Sequence, residues 1–118
     1  MKGFDDLKGK IFIRVENIDN EIIEFEDELY IYRLYHEQDC CENVTVDDIN
    51  GDLNDLIGSE ILFAEQSQND EFPSEYGSET WTFYKIATKK GWVDIRWFGE
   101  SNGYYSEYVD FEVVKKGE

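Results

Sequence analysis

The chain has 118 residues, the length of a single domain, and 41% of them are hydrophobic and 16% aromatic. That is enough bulky apolar side chain to fill one core without disulfides. The 28 Asp and Glu against 11 Lys and Arg give a formal net charge of −17. This charge opposes direct binding of nucleic acid or of anionic membranes, because both depend on Lys and Arg. We therefore expect one domain over residues 1–118 with neither of these two functions.

The cysteines and the first residues indicate the compartment. The only two cysteines, Cys40 and Cys41, are adjacent, and neighbours of this kind rarely form a disulfide. The start of the chain lacks the apolar run of a signal peptide, since Asp5 and Asp6 follow Phe4. No stretch approaches the ~20 apolar residues of a membrane span. The sequence predicts a protein of the reducing cytoplasm.

Alternation of apolar and polar residues predicts a mainly β fold. Ile11, Ile13 and Val15 would share the core-facing side of a first strand. Ile23 and Phe25 would occupy the core-facing side of its hairpin partner. Similar runs recur along the chain, separated by short turns that favour antiparallel pairing. We predict seven or eight strands in an antiparallel sheet, or in a small barrel or sandwich built from hairpins.

The middle of the chain departs twice from this strand pattern. The segment Asn50–Gly58 predicts one short helix, with Asn50 as its N-cap and Gly58 at its end. Residues 66–79 are polar and contain the only proline, so we predict the longest loop there. The expected fold class is therefore mainly β with one short helix, α+β in the broad sense.

Residues 35–42 hold the densest set of ligand-type side chains. A zinc site usually draws four ligands from two separated pairs, but His36, Cys40 and Cys41 form one group without a further His or Cys. A hydrolase that pairs His36 with a cysteine is a third possible function, although the surrounding carboxylates disfavour a thiolate. The simpler interpretation is that His36 fixes a strand end by hydrogen bonds. We expect neither a metal nor a cofactor.

A second cluster spans residues 94–107. Arg96 is surrounded there by aromatic residues that would stack on its guanidinium, and Tyr104 and Tyr105 follow a predicted turn. A mixture of Tyr, Trp, Asn, Ser and Gly is typical of binding surfaces. It is also typical of an ordinary hairpin with aromatic cross-strand pairs. Both interpretations remain open.

Three motifs in the sequence resemble the pattern of a small uncharacterised protein family encoded mainly by bacteriophages and prophages. They are YHEQDCCE at Tyr35–Glu42, GDLxDLIG at Gly51–Gly58 and VDIRWxGESNGYYSE at Val93–Glu107. The resemblance covers Leu34–Glu112, with Trp92 where the pattern has Tyr. It implies a phage setting, in which small acidic proteins often inhibit host enzymes or defence systems. It implies no activity and no catalytic residue.

The leading hypothesis is a non-enzymatic accessory protein that binds a basic host protein through an acidic surface, as an inhibitor or nucleic-acid mimic would. Such a protein would act in the cytoplasm of a bacterial host cell. It would bind neither nucleic acid directly nor a membrane. The expected contacts are exposed carboxylates: Glu24, Glu26, Asp47, Asp48, Asp52 and Asp55.

The alternative hypothesis is a protein that binds or sequesters a small molecule. Its pocket would lie where the two clusters meet, near His36 and Arg96. The side chains that would form it are His36, Cys40, Cys41, Arg96, Tyr104 and Tyr105.

Overall fold

The structure is a computed structural model that describes residues 3–38, 42–69, 72–74, 77–101 and 107–117. Within these ranges the chain forms strands and two single-turn 3-10 helices, so the predicted mainly β class is confirmed. The elements in chain order are η1 (Phe4–Leu7), β1 (Arg14–Ile18), β2 (Ile22–Glu26), β3 (Tyr30–Tyr35), β4 (Glu42–Asn50), η2 (Leu53–Leu56), β5 (Phe63–Gln68), β6 (Phe72–Ser74), β7 (Gly77–Thr88), β8 (Gly91–Ser101) and β9 (Asp110–Lys115).

The strands form two antiparallel sheets. The four-stranded sheet has the order β1-β2-β3-β9, and the five-stranded sheet has the order β4-β8-β7-β5 with β6 paired to β7. Two pairs of consecutive strands form hairpins, β1 with β2 and β7 with β8, as the short turns predict. The described strands do not close into a barrel. The sequence predicts a single sheet, a small barrel or a sandwich. Of these three, the structure has the arrangement with two sheets.

One hydrophobic core joins the inward side chains of both sheets. The ring of Phe4, in η1, bridges them: its centroid lies 6.1 Å from that of Phe25 and 4.7 Å from that of Tyr84. Trp97 and Leu34 are fully buried in the same core. Each buried side chain of this size contributes about 1.5–3 kcal/mol. The shared core leaves each sheet with one side turned toward solvent.

The core-facing side predicted for the first strand is wrong at Ile11 and Ile13, whereas Val15 is buried as predicted. Ile11 and Ile13 are 55% and 54% exposed, whereas Phe12 between them is fully buried. Strand β1 begins only at Arg14. The residues before it form isolated bridges to the segment that follows η2. These bridges, rather than a hairpin register, determine which side chain enters the core.

The predicted helix is also shorter than the sequence suggests. The 3-10 helix η2 covers only Leu53–Leu56, and its N-cap is Asp52, whose carboxylate accepts a hydrogen bond from the Asn54 amide at 2.9 Å. Asn50 is not the cap but the last residue of β4. Gly58 lies beyond the helix end with a φ of 80°. No helix in the described part of the chain is long and apolar enough to cross a membrane.

The predicted loop over residues 66–79 is mostly strand where it is described. Strand β5 continues to Gln68, β6 covers Phe72–Ser74, and β7 begins at Gly77. Backbone pairing with β7 accounts for this, because it satisfies the amide and carbonyl groups of polar residues as well as those of apolar ones. The predicted hairpin turn at Asn102 and Gly103 lies outside the described residues.

Candidate functional site

The outward side of the four-stranded sheet carries a network of ion pairs. Glu24 is only 9% exposed and accepts hydrogen bonds from Arg14 Nη2 at 2.8 Å and from Arg33 Nε at 2.5 Å. Glu26 Oε1 lies 2.7 Å from Arg14 Nε, and its Oε2 lies 2.5 Å from Lys116 Nζ. Two of the predicted contact residues, Glu24 and Glu26, are thus bound to cations of their own sheet.

These contacts change the pKa of both carboxyl groups. Burial alone would raise the pKa of Glu24, but hydrogen bonds from Arg33 and Arg14 outweigh it and lower that pKa below its ordinary value. Hydrogen bonds from Lys116 and Arg14 lower the pKa of Glu26. Hydrogen bonds to the same two carboxylates raise the pKa of Arg14. The charges on this side of the molecule largely neutralise one another.

The outward side of the five-stranded sheet has a different character. On β7 and β8, Trp81 lies opposite Phe98 and Phe83 lies opposite Arg96, while the alternate position holds the buried Trp97. The ring centroids of Trp81 and Phe98 are 4.6 Å apart. Aromatic side chains are therefore displayed toward solvent along the two central strands. We call this side the outer face; its side chains are Asn43, Thr45, Asp47, Asp48, Asn50, Phe63, Glu65, Ser67, Glu79, Trp81, Phe83, Lys85, Ala87, Trp92, Asp94, Arg96, Phe98 and Glu100.

Carboxylates outnumber cations on the outer face. The two cations are Lys85 and Arg96; the carboxylates are Asp47, Asp48, Glu65, Glu79, Asp94 and Glu100. The sequence between Arg33 and Lys85 contains many Asp and Glu but no Lys or Arg. It supplies β4 and β5, the outermost strands of the main pairing path of this sheet. Asp47 and Asp48 therefore lie at one margin of the outer face and Glu65 at the other, while Glu79, Asp94 and Glu100 lie on the central strands.

Both cations of the outer face already have partners. Arg96 donates to Asp47 Oδ2 from Nε at 2.8 Å and from Nη2 at 2.6 Å. Its guanidinium carbon also lies 5.3 Å from the centroid of Trp81. Lys85 Nζ lies 4.0 Å from Asp94 Oδ1. The remaining carboxylates are therefore not neutralised by these two cations.

A shallow pocket of about 410 Å³ lies near the centre of the outer face. Within the described ranges, the lining residues Asp48 and Glu65 have no salt-bridge partner. Phe83 contributes its ring, and β4, β5, β7 and β8 all contribute to the wall. The charged and aromatic lining residues are Asp48, Glu65, Phe83, Lys85, Asp94 and Arg96.

A comparison with protein-family models shows the family of the chain. The family model called domain of unknown function DUF7448 matches residues 5–111. The chain belongs to the DUF7448 family. The match includes both sheets up to Phe111 in β9. No curated protein and no solved structure matches the chain.

In this DUF7448 domain, His36 lies away from the outer-face pocket. Its Nδ1 is 2.8 Å from the carbonyl oxygen of Tyr108, and its Nε2 is 3.1 Å from Glu42 Oε1. The His36 side chain is only 5% exposed. The expectation that His36 fixes a strand end by hydrogen bonds is confirmed, because it ties the segment after β3 to the start of β4. His36 does not line the pocket beside Arg96.

The remaining predicted residues of the DUF7448 domain fall into three groups: those near η2, those on the outer face and those outside the described ranges. Asp52 caps η2, and Asp55 lies beside Gly91, where an added Cβ would come within 3.0 Å of Asp55 Oδ2. Asp47 and Asp48 lie on the outer face, beside Arg96. The residues outside the described ranges are Cys40, Cys41, Tyr104 and Tyr105.

Sequence reasoning did not single out Glu65, Trp81 and Phe83 of the DUF7448 domain as site candidates, whereas Asp94 and Phe98 fall within the cluster predicted over residues 94–107. Strand alternation was the available signal, because residues at every second position share a face. This alternation predicts that Trp81 and Phe83 lie on the same face of their strand. It does not show whether they face solvent or the core.

Proposed function

We propose that this DUF7448 domain is a non-enzymatic binding protein that takes a basic partner protein on its outer face. The proposal rests on one contrast between the two sheets. The outward side of the four-stranded sheet neutralises its own carboxylates, whereas the outer face combines aromatic side chains with carboxylates that its own cations do not match.

The aromatic side chains give the outer face the composition of a protein interface. Trp92 is 56% exposed, and its ring lies 5.0 Å from that of Phe63. At the other end of the same face, Trp81 and Phe98 form a second pair. Tyr, Trp and Arg dominate the binding energy of many interfaces, and the aromatic side chains offer a large contact area at a small entropic cost. Two such pairs separated by charged residues would contact a partner at several points.

The carboxylates determine which partner is attracted. A surface with unmatched Asp and Glu draws cationic proteins by long-range attraction and repels nucleic acid. Asp48 and Glu65 lie on opposite margins of the outer face, so a basic partner would meet negative charge on both sides of the aromatic residues. Binding of this kind accelerates at low salt and weakens as salt is added.

The proposed setting is the cytoplasm of a bacterial host cell, with the domain acting as a phage-type accessory protein. The resemblance of Tyr35–Glu42 and Val93–Glu107 to a phage and prophage pattern supports this origin. A basic nucleic-acid-binding groove of a host protein would suit the charge of the outer face, with carboxylates in the positions of phosphates. The domain would then act as an inhibitor.

Of the carboxylates predicted from sequence, Asp48 carries this proposal, because Asp47 also lies on the outer face but is paired with Arg96. Glu24 and Glu26 are held in the ion-pair network of the other sheet. Asp52 caps η2. The interaction surface is therefore proposed around the outer face.

The test compares three forms of the domain as bait in a bacterial lysate. These are the unchanged protein, the outer-face variant Asp48→Asn/Glu65→Gln, and the matched control Glu16→Gln/Glu28→Gln. The control removes the same charge from exposed positions away from the outer face. Captured proteins are identified at about 0.05 M and about 0.5 M salt, since the higher concentration strongly shortens the range of charge attraction.

We expect a basic protein that the unchanged domain and the control retain at low salt. The outer-face variant should lose it, and high salt should release it. Retention of the same proteins by all three forms at both salt concentrations would overturn the proposal. Equal losses with the two double variants would also overturn it, because they would show an effect of total charge alone.

A further inference from the structure

The outer-face pocket beside Phe83 has the features of a site for a single cationic group. We propose that it binds one arginine side chain of the basic partner, with the guanidinium against the Phe83 ring and between the carboxylates of Asp48 and Glu65. This inference rests on the proposed function, because it names the group of the partner that the outer face would recognise.

The domain already contains one guanidinium held in this manner. Arg96 contacts the Asp47 carboxylate through two nitrogens and lies over the ring of Trp81. A planar guanidinium suits this combination, because it binds a carboxylate in its plane and an aromatic ring on its face. The pocket contains the same two components, a carboxylate and an aromatic ring. Asp48 on β4 and Phe83 on β7 are the two cross-strand neighbours of Arg96. In the pocket no cation among the described residues occupies the guanidinium position, because Arg96 is bound to Asp47 and Lys85 lies nearest Asp94.

The charges around the pocket favour a cation. From β4 it is lined by Asp48, from β5 by Glu65, from β7 by Lys85, and from β8 by Asp94 and Arg96. Arg96 is neutralised by Asp47, and Lys85 lies nearest Asp94. Asp48 and Glu65 therefore remain to pair with an added positive charge. A neutral group of the same shape would gain only the ring contact.

The size of the pocket fits one side chain rather than a large ligand. Its volume of about 410 Å³ lies near the lower limit of sites that enclose small molecules. Its wall consists of side chains that stand on four strands of one sheet, so it is open to solvent on the outer face. A side chain projecting from a docked protein can enter such a depression without any rearrangement of the strands.

The test uses N-acetyl-arginine amide as the probe and follows the backbone amides of the ¹⁵N-labelled domain by NMR. N-acetyl-citrulline amide is the matched control, since it has nearly the same shape without the charge. N-acetyl-lysine amide tests the choice of guanidinium. We expect saturable shifts of the amides around Glu65, Phe83 and Asp94 with the arginine probe, and none with citrulline.

Two variants examine the pocket. Phe83→Leu retains apolar volume but removes the ring, and should weaken the arginine probe about two- to fivefold, the range expected for a cation–π contact. Asp48→Asn should weaken it by a comparable factor, whereas Glu16→Gln should not. Similar shifts with citrulline, shifts confined to another part of the domain, or binding of the lysine probe as tight as that of arginine would each overturn the inference.

The outcome separates this inference from the proposed function. If the arginine probe fails to bind while capture of a basic protein still requires Asp48 and Glu65, the pocket assignment is wrong and the outer face remains the interface. If the probe binds in the pocket but no form of the domain captures a basic protein, the inference about the pocket holds and the proposed function is wrong.

Discussion

The Arg96 guanidinium is clamped by Asp47, with its Nε and Nη2 both donating to the same carboxylate oxygen at 2.8 and 2.6 Å. A shift in the pairing of β4 and β8 between Val46 and Asp48 makes this contact possible. A β-bulge places two residues of one strand opposite one residue of its partner. Both Asp47 and Asp48 therefore lie beside Arg96. Asp47 binds its guanidinium, and Asp48 lines the pocket.

Removing the charge of Arg96 should strengthen binding of a basic partner. The variant Arg96→Gln takes away one of the two cations on the outer face, and Asp47 then adds to the unmatched negative charge. At the separations expected across an interface this amounts to about a twofold higher affinity or more. Calorimetric titration with the captured partner at low salt measures it.

The same variant separates the two functional hypotheses. A small-molecule site that relies on Arg96 would lose its ligand when the guanidinium is removed. Both Arg96 and Asp47 are partly exposed, so the stability cost should stay within about 1 kcal/mol. A weaker interaction of Arg96→Gln with the basic partner, in a protein that unfolds at the usual denaturant concentration, would contradict the proposed binding mode.

The buried end of the five-stranded sheet predicts a second, purely structural effect. A Cβ added at Gly99 would lie 2.6 Å from the carbonyl oxygen of Glu107 and 3.0 Å from its Cβ. Glu107 is itself buried and accepts a hydrogen bond from the Thr80 hydroxyl at 2.8 Å. Gly99→Ala should therefore lower the free energy of unfolding by about 1–3 kcal/mol, the usual cost of overpacking.

Chemical denaturation measures this cost, with Gly3→Ala as the matched control. A Cβ at Gly3 meets nothing within 4 Å, so the control should unfold like the unchanged protein. If Gly99→Ala were as stable as Gly3→Ala, the close approach of Glu107 to β8 would not exist in solution.

Alternation along the sequence predicts the core where a strand pairs with its neighbour along the chain. Ile23 and Phe25 are predicted to face inward and are fully buried, because β2 forms hairpins on both sides. Ile11 and Ile13 show the same alternation but are exposed. Their position depends on bridges to residues more than 40 positions later, and no local pattern contains that information.

The candidate site shows the same limit. Glu24 and Glu26 alternate with apolar residues, so the sequence correctly indicates that they share the outward side of a strand. Their neutralising partners come from other strands, and Lys116 lies 90 residues beyond Glu26. Charge in the sequence therefore cannot distinguish a carboxylate that attracts a partner from one that is already paired. Only the sheet register makes this distinction, and it selects Asp48 and Glu65.

His36 should prove to be a structural residue. Both of its ring nitrogens face acceptors, the Tyr108 carbonyl and the Glu42 carboxylate, so His36→Ala loses two hydrogen bonds in a nearly enclosed position. We expect the free energy of unfolding to fall by about 1–3 kcal/mol. Affinity for the basic partner should change less than twofold, because His36 does not belong to the outer face.

Denaturation and calorimetric titration of the same sample distinguish these effects for His36→Ala. A hydrolase or a small-molecule site that used the imidazole would lose its function without a matching loss of stability. A variant that folds as stably as the unchanged protein but no longer binds the partner would therefore show that His36 has a direct functional role.

The ion-pair network of the four-stranded sheet predicts how stability depends on pH. The pKa values of Glu24 and Glu26 are lowered in the folded protein from an ordinary value of 4.5. A carboxyl group with a lowered folded-state pKa contributes stability that is complete above its unfolded pKa and is lost as the pH falls through the folded value. The free energy of unfolding should therefore decrease as the pH is lowered below about 4.5.

Glu24→Gln isolates this contribution, because Glu24 is the carboxylate between Arg14 and Arg33. At pH 7 the variant should be less stable by about 2–3 kcal/mol, since two partly buried arginines lose a charged acceptor. The difference from the unchanged protein should shrink as the pH falls, because the native Glu24 is then protonated too. Glu16→Gln, at an exposed position on the same network, should cost less than about 1 kcal/mol. Urea denaturation of the three proteins from pH 7 to pH 3 measures these differences; a gap between Glu24→Gln and the unchanged protein that stays constant over this range would contradict the ion-pair origin of the stability.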